Sequence, residues 1–489
     1  MRPKNKVQLI TYPDSLGGDL KALDTVLERH FKGLFQGGVH ILPPFPSTGD
    51  RGFSPVSYFE IEPAFGSWTD VQKLGGKYDL MLDLMVNHVS SGSEFFKDYL
   101  AKGSESEYAD MFIDIRKFWP DGNPPAQDLE KIFLRRPLPF SNFEVGPAKE
   151  KRSLWTTFGK GDPSNQIDID IHSKTTRAFY ARVFEFFAEN GIRFVRLDAV
   201  GYVTKQPGTS CFFVKPGIFE FLDEIKAIAD EKGIGLLPEV HATWDTQREL
   251  SEHGFLIYDF ILPYLILEAI LQKDARKLNK YLRERPAGQV TMLDCHDGIP
   301  VKPDLDGIYD KDEVRAVVNT CIERGANMSK IMSPAHKDPD GFDIHQIRGT
   351  YYSMLNEDDE AYFAARAIQL FTPGIPQIYY VGLLAGRNDF DSVEKTGEGR
   401  EINRHSYTVD EIEREVQRPL VKRLLGLIEF RNTYDAFDGE YSFEQGSDKE
   451  IKITWSKDRL KASLTVDLVK ISTRITYFEE QTGDWKELK

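Results

Sequence analysis

Cysteine is scarce in this chain: three in 489 residues, Cys211, Cys295 and Cys321, odd in number and far apart. That spacing excludes a disulfide framework and a cysteine-built zinc site. Basic residues are outnumbered, 62 Lys and Arg against 77 Asp and Glu, for a formal net charge of −15. Nucleic acid and acidic membrane surfaces are poor partners for such a chain, although a local basic cluster still suits a small anion. No apolar run approaches the ~18 residues of a membrane-crossing segment. The opening "MRPKNKVQLITYPDSLGG" lacks the apolar core of a secretion signal. Low-complexity segments and short internal repeats are missing as well. The expectation is a cytoplasmic enzyme, monomer or homodimer, with neither nucleic acid nor membrane as partner.

What is present is a recurring pattern. Strand-like apolar runs alternate with helix-like segments, the signature of a parallel α/β architecture. The runs are "VQLITY", "GGVHILPP", "DLMLDLMVNH", "IRFVRLDAV", "IGLLPEVHA", "FLIYDFIL", "QVTMLDCHD" and "PGIPQIYYVG". Before the fourth lies "TTRAFYARVFEFFAENG", apolar at helical spacing and closed by Gly191. Eight strands with helical connections predict a (β/α)8 TIM barrel.

Two excursions interrupt it. Roughly eighty residues follow "VNHVSSGS" before the next barrel strand, far beyond an ordinary βα-loop, and predict an inserted subdomain. The second follows "CHDGIPVKPDLDG" and contains "SPAHKDPDGFDIHQIRG", rich in turn formers. Near the C-terminus the pattern shortens to "KEIKITWS", "KASLTVDL" and "TRITYFEE", a small antiparallel β domain. The expected division is barrel over 1–90, inserted subdomain over 91–170, barrel over 171–300, excursion over 301–355, barrel over 356–434 and β domain over 435–489.

Polar residues gather at the strand ends: Asp83, Asn87 and His88 on the third, Arg196 and Asp198 on the fourth, Glu239 and His241 on the fifth, His296 and Asp297 on the seventh. Side chains alternate along a strand, so Arg196 and Asp198 share one face. Barrel active sites form at the C-terminal strand ends. Two carboxyls about one bond suit glycoside chemistry, one attacking the anomeric carbon and one protonating the leaving oxygen. Arg196 is expected to keep Asp198 ionised, and the apolar neighbours of Glu239 to keep it protonated. Asp83, in "LMLDLMV", reads as a structural partner beneath the site, and Cys295 as a small packing residue.

"RFVRLDAV", "LLPEVHA", "MLDCHDG" and "DLMVNH" resemble the four short signatures of glycoside hydrolase family 13, the α-amylase superfamily. "ITYPDSLGGDL", "STGDRGF", "QIDIDI", "TMLDCHDGIPV", "YYVGLLAGRNDF" and "GREINRH" are similar to its sucrose phosphorylase branch, over nearly the whole chain. The resemblance implies retaining transfer of glucose through a covalent β-glucosyl-enzyme, with phosphate as acceptor. It implies Asp198 as nucleophile, Glu239 as acid/base and Asp297 as the carboxylate that clasps the sugar hydroxyls. Asp50 and Arg404 resemble the pair that grips the far side of glucose, and His88 and His296 further hydroxyl contacts. Arg196 resembles the residue that orients the nucleophile, with Gln166 and Phe53 as pocket wall and His241 as a further polar contact. Asn87 stands where many amylases bind calcium, but this branch is not known for that metal, so neither metal nor cofactor is expected.

The branch carries an acceptor loop reading Asp-x-Tyr-Gln, where this chain has "DIHQ", Asp343 to Gln346, with His345 in place of the tyrosine. The inserted subdomain offers Arg135 and Arg136 in "FLRRPLPF", a candidate fork for a phosphate dianion. The expected partners are therefore a sugar phosphate and inorganic phosphate. Sucrose 6′-phosphate is the favoured donor; plain sucrose and glucosylglycerate are the alternatives.

Overall fold

The computed structural model describes residues 2–286, 288–333, 337, 340–444, 446–480 and 482–488. Five residues of the "SPAHKDPDG" stretch, 334–336 and 338–339, lie outside them. The eight expected runs are strands β1 (Gln8–Thr11), β2 (Gly38–Ile41), β3 (Leu80–Met85), β4 (Ile192–Asp198), β5 (Gly235–Pro238), β6 (Ile257–Asp259), β7 (Gln289–Thr291) and β8 (Ile375–Tyr379). They join in one sheet in the order β6-β7-β8-β1-β2-β3-β4-β5. Sequence order running round the sheet, with parallel pairing in β1–β8, β3–β4, β4–β5, β6–β7 and β7–β8, is that of the TIM barrel. β1, β3, β6, β7 and β8 are buried along their whole length, as strands covered on both faces must be.

The helix before β4 runs Lys174–Glu189, capped by Ser173, whose hydroxyl accepts from Thr176 N. Asn190 takes the C-cap position, and Gly191, at φ 81°, is the left-handed residue just past it. The chain forms two compact units, one of Ile41–Val240 with Ile331–Asp343, the other of Arg2–His40, His241–Lys330 and the chain from Ile344.

In the first unit, the segment between β3 and β4 holds a hairpin of Phe140–Val145 and Glu150–Trp155. It builds a core from Ile113, Ile115, Trp119, Ile132 and Trp155, joined by Cys211 from beyond β4, with the Trp119 and Trp155 rings stacked at 6.0 Å. A short antiparallel ladder pairs His88–Ser90 with Gln166–Asp168.

In the second unit, the excursion after β7 folds into a three-stranded sheet, Ile299–Pro300, Ile344–Arg348 and Asn327–Lys330 in that spatial order. The C-terminal sheet has strands β9 (Glu440–Phe443), β10 (Glu450–Lys457), β11 (Leu460–Asp467), β12 (Ser472–Glu479) and β13 (Asp484–Glu487), each antiparallel to the next. Its apolar face, Ile451, Ile453, Trp455, Leu464, Val466 and Ile475, is buried. Trp455 Nε1 donates to the Phe371 carbonyl at 2.7 Å, tying that face to the helix Asp359–Phe371.

Candidate active site

Register assembles the first cluster. β3 and β4 pair Asp83 with Arg196 and Met85 with Asp198, so the period of two puts Asp83, Arg196 and Asp198 on one face. Arg196 Nη1 lies 2.5 Å from Asp83 Oδ1 and 2.7 Å from Asp198 Oδ1, while Nη2 lies 2.8 Å from Glu239 Oε1. One guanidinium thus bridges three carboxylates. The next residue, Ala199, takes a left-handed conformation at φ 55° and donates its N–H to Glu239 Oε2 at 3.1 Å. A non-glycine residue there is strained, and such strain collects at functional sites.

Burial pushes the Asp198 carboxyl up to about 8; Arg196 pulls it down, and Glu239 and Asp83 push it further up. This departs from the expectation that Arg196 alone keeps Asp198 ionised. Desolvation and two neighbouring carboxylates outweigh a single cation. The proton belongs to the Asp198–Glu239 pair and titrates as a property of both.

Around this cluster the Phe53 carbonyl accepts from Gln166 Nε2 at 3.2 Å and from His88 Nε2 at 3.1 Å. Burial lowers the His88 imidazole, so it is neutral. With Nε2–H donating, its buried Nδ1, which has no partner among the described residues, is left to accept from a ligand hydroxyl. The Phe53 ring faces the Arg196 guanidinium, 5.7 Å from its centroid. Asp50 and Phe53 are held by the turn Asp50–Gly52. Gly52 sits at φ 102°, and a Cβ there would lie 2.4 Å from the Pro43 carbonyl oxygen. Only glycine fits.

Asn87 faces a cation supplied by the chain itself. Lys205 Nζ lies 2.8 Å from Asn87 Oδ1, 2.6 Å from Asp168 Oδ2, 3.1 Å from Thr157 Oγ1 and 2.5 Å from the Tyr202 carbonyl. Lys205 was not legible as a site residue, because its partner Asn87 is 118 positions away.

Arg135 and Arg136 do not form a fork. Arg136 is buried and donates to Ser141 Oγ, Thr156 Oγ1 and the Gly161 carbonyl at 2.8, 2.9 and 2.8 Å. It clamps the inserted subdomain. Arg135, half-buried, stands apart from those partners, 5.8 Å over the Phe158 ring, itself 5.6 Å from the His88 ring. Asp343 is also half-buried in this unit, its carbonyl accepting from Ile331 N at 2.8 Å.

The second unit brings together His241, His296, Asp297, His345, Gln346 and Arg404. Burial would raise the Asp297 carboxyl, but Arg400, His296, Arg404 and His241 hold it well below the usual carboxylate range. Arg400 Nη1 is 3.5 Å from Asp297 Oδ1 and His296 Nε2 is 3.8 Å from Oδ2. Arg404 Nε donates to the His296 carbonyl at 2.9 Å, and its guanidinium lies 5.7 Å from the Tyr12 ring centroid. The Phe260 ring stacks on His241 at 4.1 Å, and His241 Nδ1 is 3.5 Å from the wholly buried Asp304.

His345 and Gln346 are not on a loop. They belong to the strand Ile344–Arg348, where Gln346 is paired with Pro300 on one side and Ser329 on the other. His345 Nδ1 donates to the Lys302 carbonyl at 2.6 Å, and the ring is 6.0 Å from that of His241. Gln346 Oε1 is buried with no partner among the described residues. Arg400, in "GREINRH" beside Arg404, escaped notice because "Arg-Glu" at an exposed helical end reads as a solvated pair.

In this parallel barrel the β4 guanidinium of Arg196 bridges Asp198, at the end of the same strand, and Glu239, just beyond β5, an arrangement that suits chemistry on a glycosidic bond. The alpha amylase catalytic domain family matches residues 8–251. The chain is 58% identical over 488 residues to the sucrose 6(F)-phosphate phosphorylase of Thermoanaerobacterium thermosaccharolyticum, covering all of both. It is 42% identical to the sucrose phosphorylase of Streptococcus mutans, covering 96% of this chain and 97% of that one. The crystal structure of sucrose 6F-phosphate phosphorylase from Thermoanaerobacter thermosaccharolyticum superposes with a TM-score of 0.98 at 57% identity, covering 100% and 99% of the two chains. This chain belongs to the α-amylase family, in its branch of sucrose and sucrose-phosphate phosphorylases.

Proposed function

We propose that the chain is a retaining glycoside phosphorylase that converts sucrose 6′-phosphate and inorganic phosphate to α-D-glucose 1-phosphate and fructose 6-phosphate. The single observation that carries the chemistry is the Arg196 guanidinium bonded to both Asp198 and Glu239. With Asp83 also on that cation, the pair is short of positive charge and retains a proton into the neutral range.

In the first displacement the Asp198 carboxylate attacks the anomeric carbon while Glu239 gives its proton to the departing fructosyl oxygen. The bond from C1 to fructose 6-phosphate breaks and a β-glucosyl ester forms. In the second, a phosphate oxygen attacks C1, the ester bond breaks, and Glu239 recovers a proton from the incoming phosphate. Two inversions give net retention. Asp297 clasps the sugar hydroxyls in the transition state. Asp50, Phe53, His88, Gln166, His241, His296 and Arg404 hold the glucosyl unit.

The donor phosphate falls to Arg135, His345, Asp343 and Gln346. With Nδ1–H held by the Lys302 carbonyl, protonation at Nε2 makes His345 a cation suited to a phosphate ester, a charge that tyrosine cannot supply. The name of the relative at 58% identity supports the phosphorylated donor. Among the described residues no helix is long and apolar enough to cross a membrane. A cytoplasmic location is part of the same proposal.

The test is kcat/KM for sucrose 6′-phosphate and for sucrose, in the parent and in His345→Tyr, with product analysis with and without phosphate. The parent favours the phosphorylated sugar. The variant loses roughly ten- to a hundredfold on that sugar alone, as expected for ~1.5–3 kcal/mol of charge-assisted contact. Equal efficiency of the parent on both sugars overturns the donor assignment. Glucose rather than glucose 1-phosphate as the product in the presence of phosphate overturns phosphorolysis.

A further inference from the structure

The short helical turn Gly399–Asn403, with Arg404 at its end, does more than present Arg404. Asn403 Nδ2 donates to the carbonyls of Cys295 and Asp297, at 3.1 and 3.0 Å, and Arg404 Nε takes the carbonyl between them. Three successive peptide oxygens are thus captured by two adjacent residues. Asn403 is 3% exposed, so these bonds are made away from solvent. From below, Cys295 Sγ accepts from Asp297 N at 3.4 Å.

The other end of the turn is anchored as firmly. Asn327 Nδ2 donates to the Gly399 carbonyl at 2.9 Å. A Cβ on Gly399 would stand 3.1 Å from Asn327 Oδ1 and 3.3 Å from Arg348 Nη1, so the turn closes onto the excursion sheet because residue 399 has no side chain. Arg400 follows directly. Its Nη1 lies 3.5 Å from Asp297 Oδ1, an oxygen that is buried and accepts no hydrogen bond from any described residue. A buried carboxylate oxygen in this state is costly unless a charge or a ligand compensates it.

We propose that Arg400 is a positioning residue for Asp297: it keeps that carboxylate charged and aimed, so that Oδ1 meets a sugar hydroxyl rather than turning away or binding a proton. Asn403 supports the same task by holding the peptide planes from which the carboxylate projects. Arg400 is a quarter exposed and, with Arg404, brings a second like charge to the Asp297 carboxylate. The proposal rests on the reading of Asp297 as the carboxylate that acts in the transition state.

The experiment is a double-mutant cycle of Arg400→Gln and Asp297→Asn in the full chain, read as kcat and KM for glucosyl transfer to phosphate from α-glucosyl fluoride and from sucrose 6′-phosphate. Arg400→Gln is expected to lower kcat tenfold or more with KM for the donor changed less than threefold, and Arg400→Lys to recover most of the loss. On the Asp297→Asn background the same change has no further effect, because a residue acting through a carboxylate has nothing to act through once it is gone. A loss of equal size on both backgrounds refutes positioning through Asp297, and so does Arg400→Gln with parent kinetics. Parent activity in Asp297→Asn alone instead refutes the role given to Asp297. Should Arg400→Gln not fold, Arg400→Met and Arg400→Ala are run in the same cycle, with the same outcomes deciding.

Discussion

Replacing Lys205 by methionine tests how much the chain depends on its internal cation. The ammonium and its partner Asp168 are almost wholly removed from water, with side chains 3% and 0% exposed. Methionine fills the same space but leaves Asp168, among the described residues, with the hydrogen bonds of Thr157, through its N–H at 2.9 Å and its hydroxyl at 2.5 Å. Removing one member of a buried ion pair costs ~3–5 kcal/mol, because the other charge remains desolvated and uncompensated. At about 2 °C per kcal/mol for a large domain, the unfolding transition drops by roughly 6–10 °C in a scanning calorimeter. The Lys205→Met, Asp168→Asn double variant recovers most of that, since neither charge is then buried alone. Lys205→Ala opens a space among Asn87 Oδ1, Asp168 Oδ2, Thr157 Oγ1 and the Tyr202 carbonyl, an all-oxygen set that suits a hard divalent ion. Millimolar calcium raises the melting temperature of that variant and leaves the parent unchanged. Lys205→Met melting within about 1 °C of the parent refutes the buried-pair argument, as does a double variant less stable than the single one.

Arg136→Met removes three hydrogen bonds, two of them buried, at ~0.5–1.5 kcal/mol each, and lowers the melting temperature. Arg135→Met leaves stability near that of the parent and raises KM for the phosphorylated donor, which steady-state kinetics alongside calorimetry separates. Asp198→Asn is inactive yet more stable than the parent. The proton shared by the Asp198–Glu239 pair is held up to about 8 in the folded chain, against an ordinary value of 3.8 for Asp198, so parent stability falls as pH rises between these values. The advantage of asparagine therefore grows upward from about pH 4, by at most ~1.4 kcal/mol per pH unit, and levels off above about 8; urea titrations at pH 5 and 8 check the sign. Gly52→Ala drives a methyl group against the Pro43 carbonyl and is expected to lower glucosyl transfer at least tenfold by shifting Asp50 and Phe53, measured as kcat/KM.

What could be read from the chain alone follows the range of the interaction. The barrel strands rest on short continuous apolar runs and the Arg196–Asp198 face on a period of two within one strand, and both are visible locally. That Asp83 meets Arg196 depends on the β3–β4 register, which no local pattern states. The outer strands β9 and β13 were missed for a related reason. Their residues are nearly all exposed, so there is no alternation of burial for the sequence to carry. The two arginines of "LRRP" look alike as letters and differ only in what the folded hairpin sets before each.

His345 shows the same limit with a consequence for specificity. Its surroundings, "DPDGFDIHQIRG", read as a loop because turn formers dominate the first half, while "IHQIR" is buried at all but its last residue. A strand buried on both faces does not alternate, and here His345, Gln346 and Arg348 also break the apolar run that marks the barrel strands. A histidine on a paired strand, with one ring nitrogen held by a carbonyl, presents its other nitrogen along a direction set by the backbone. Exchange with tyrosine then changes charge and reach at a fixed place. A preference for one donor can be built this way by a single side chain, because the sheet has already met the entropic cost of placing it.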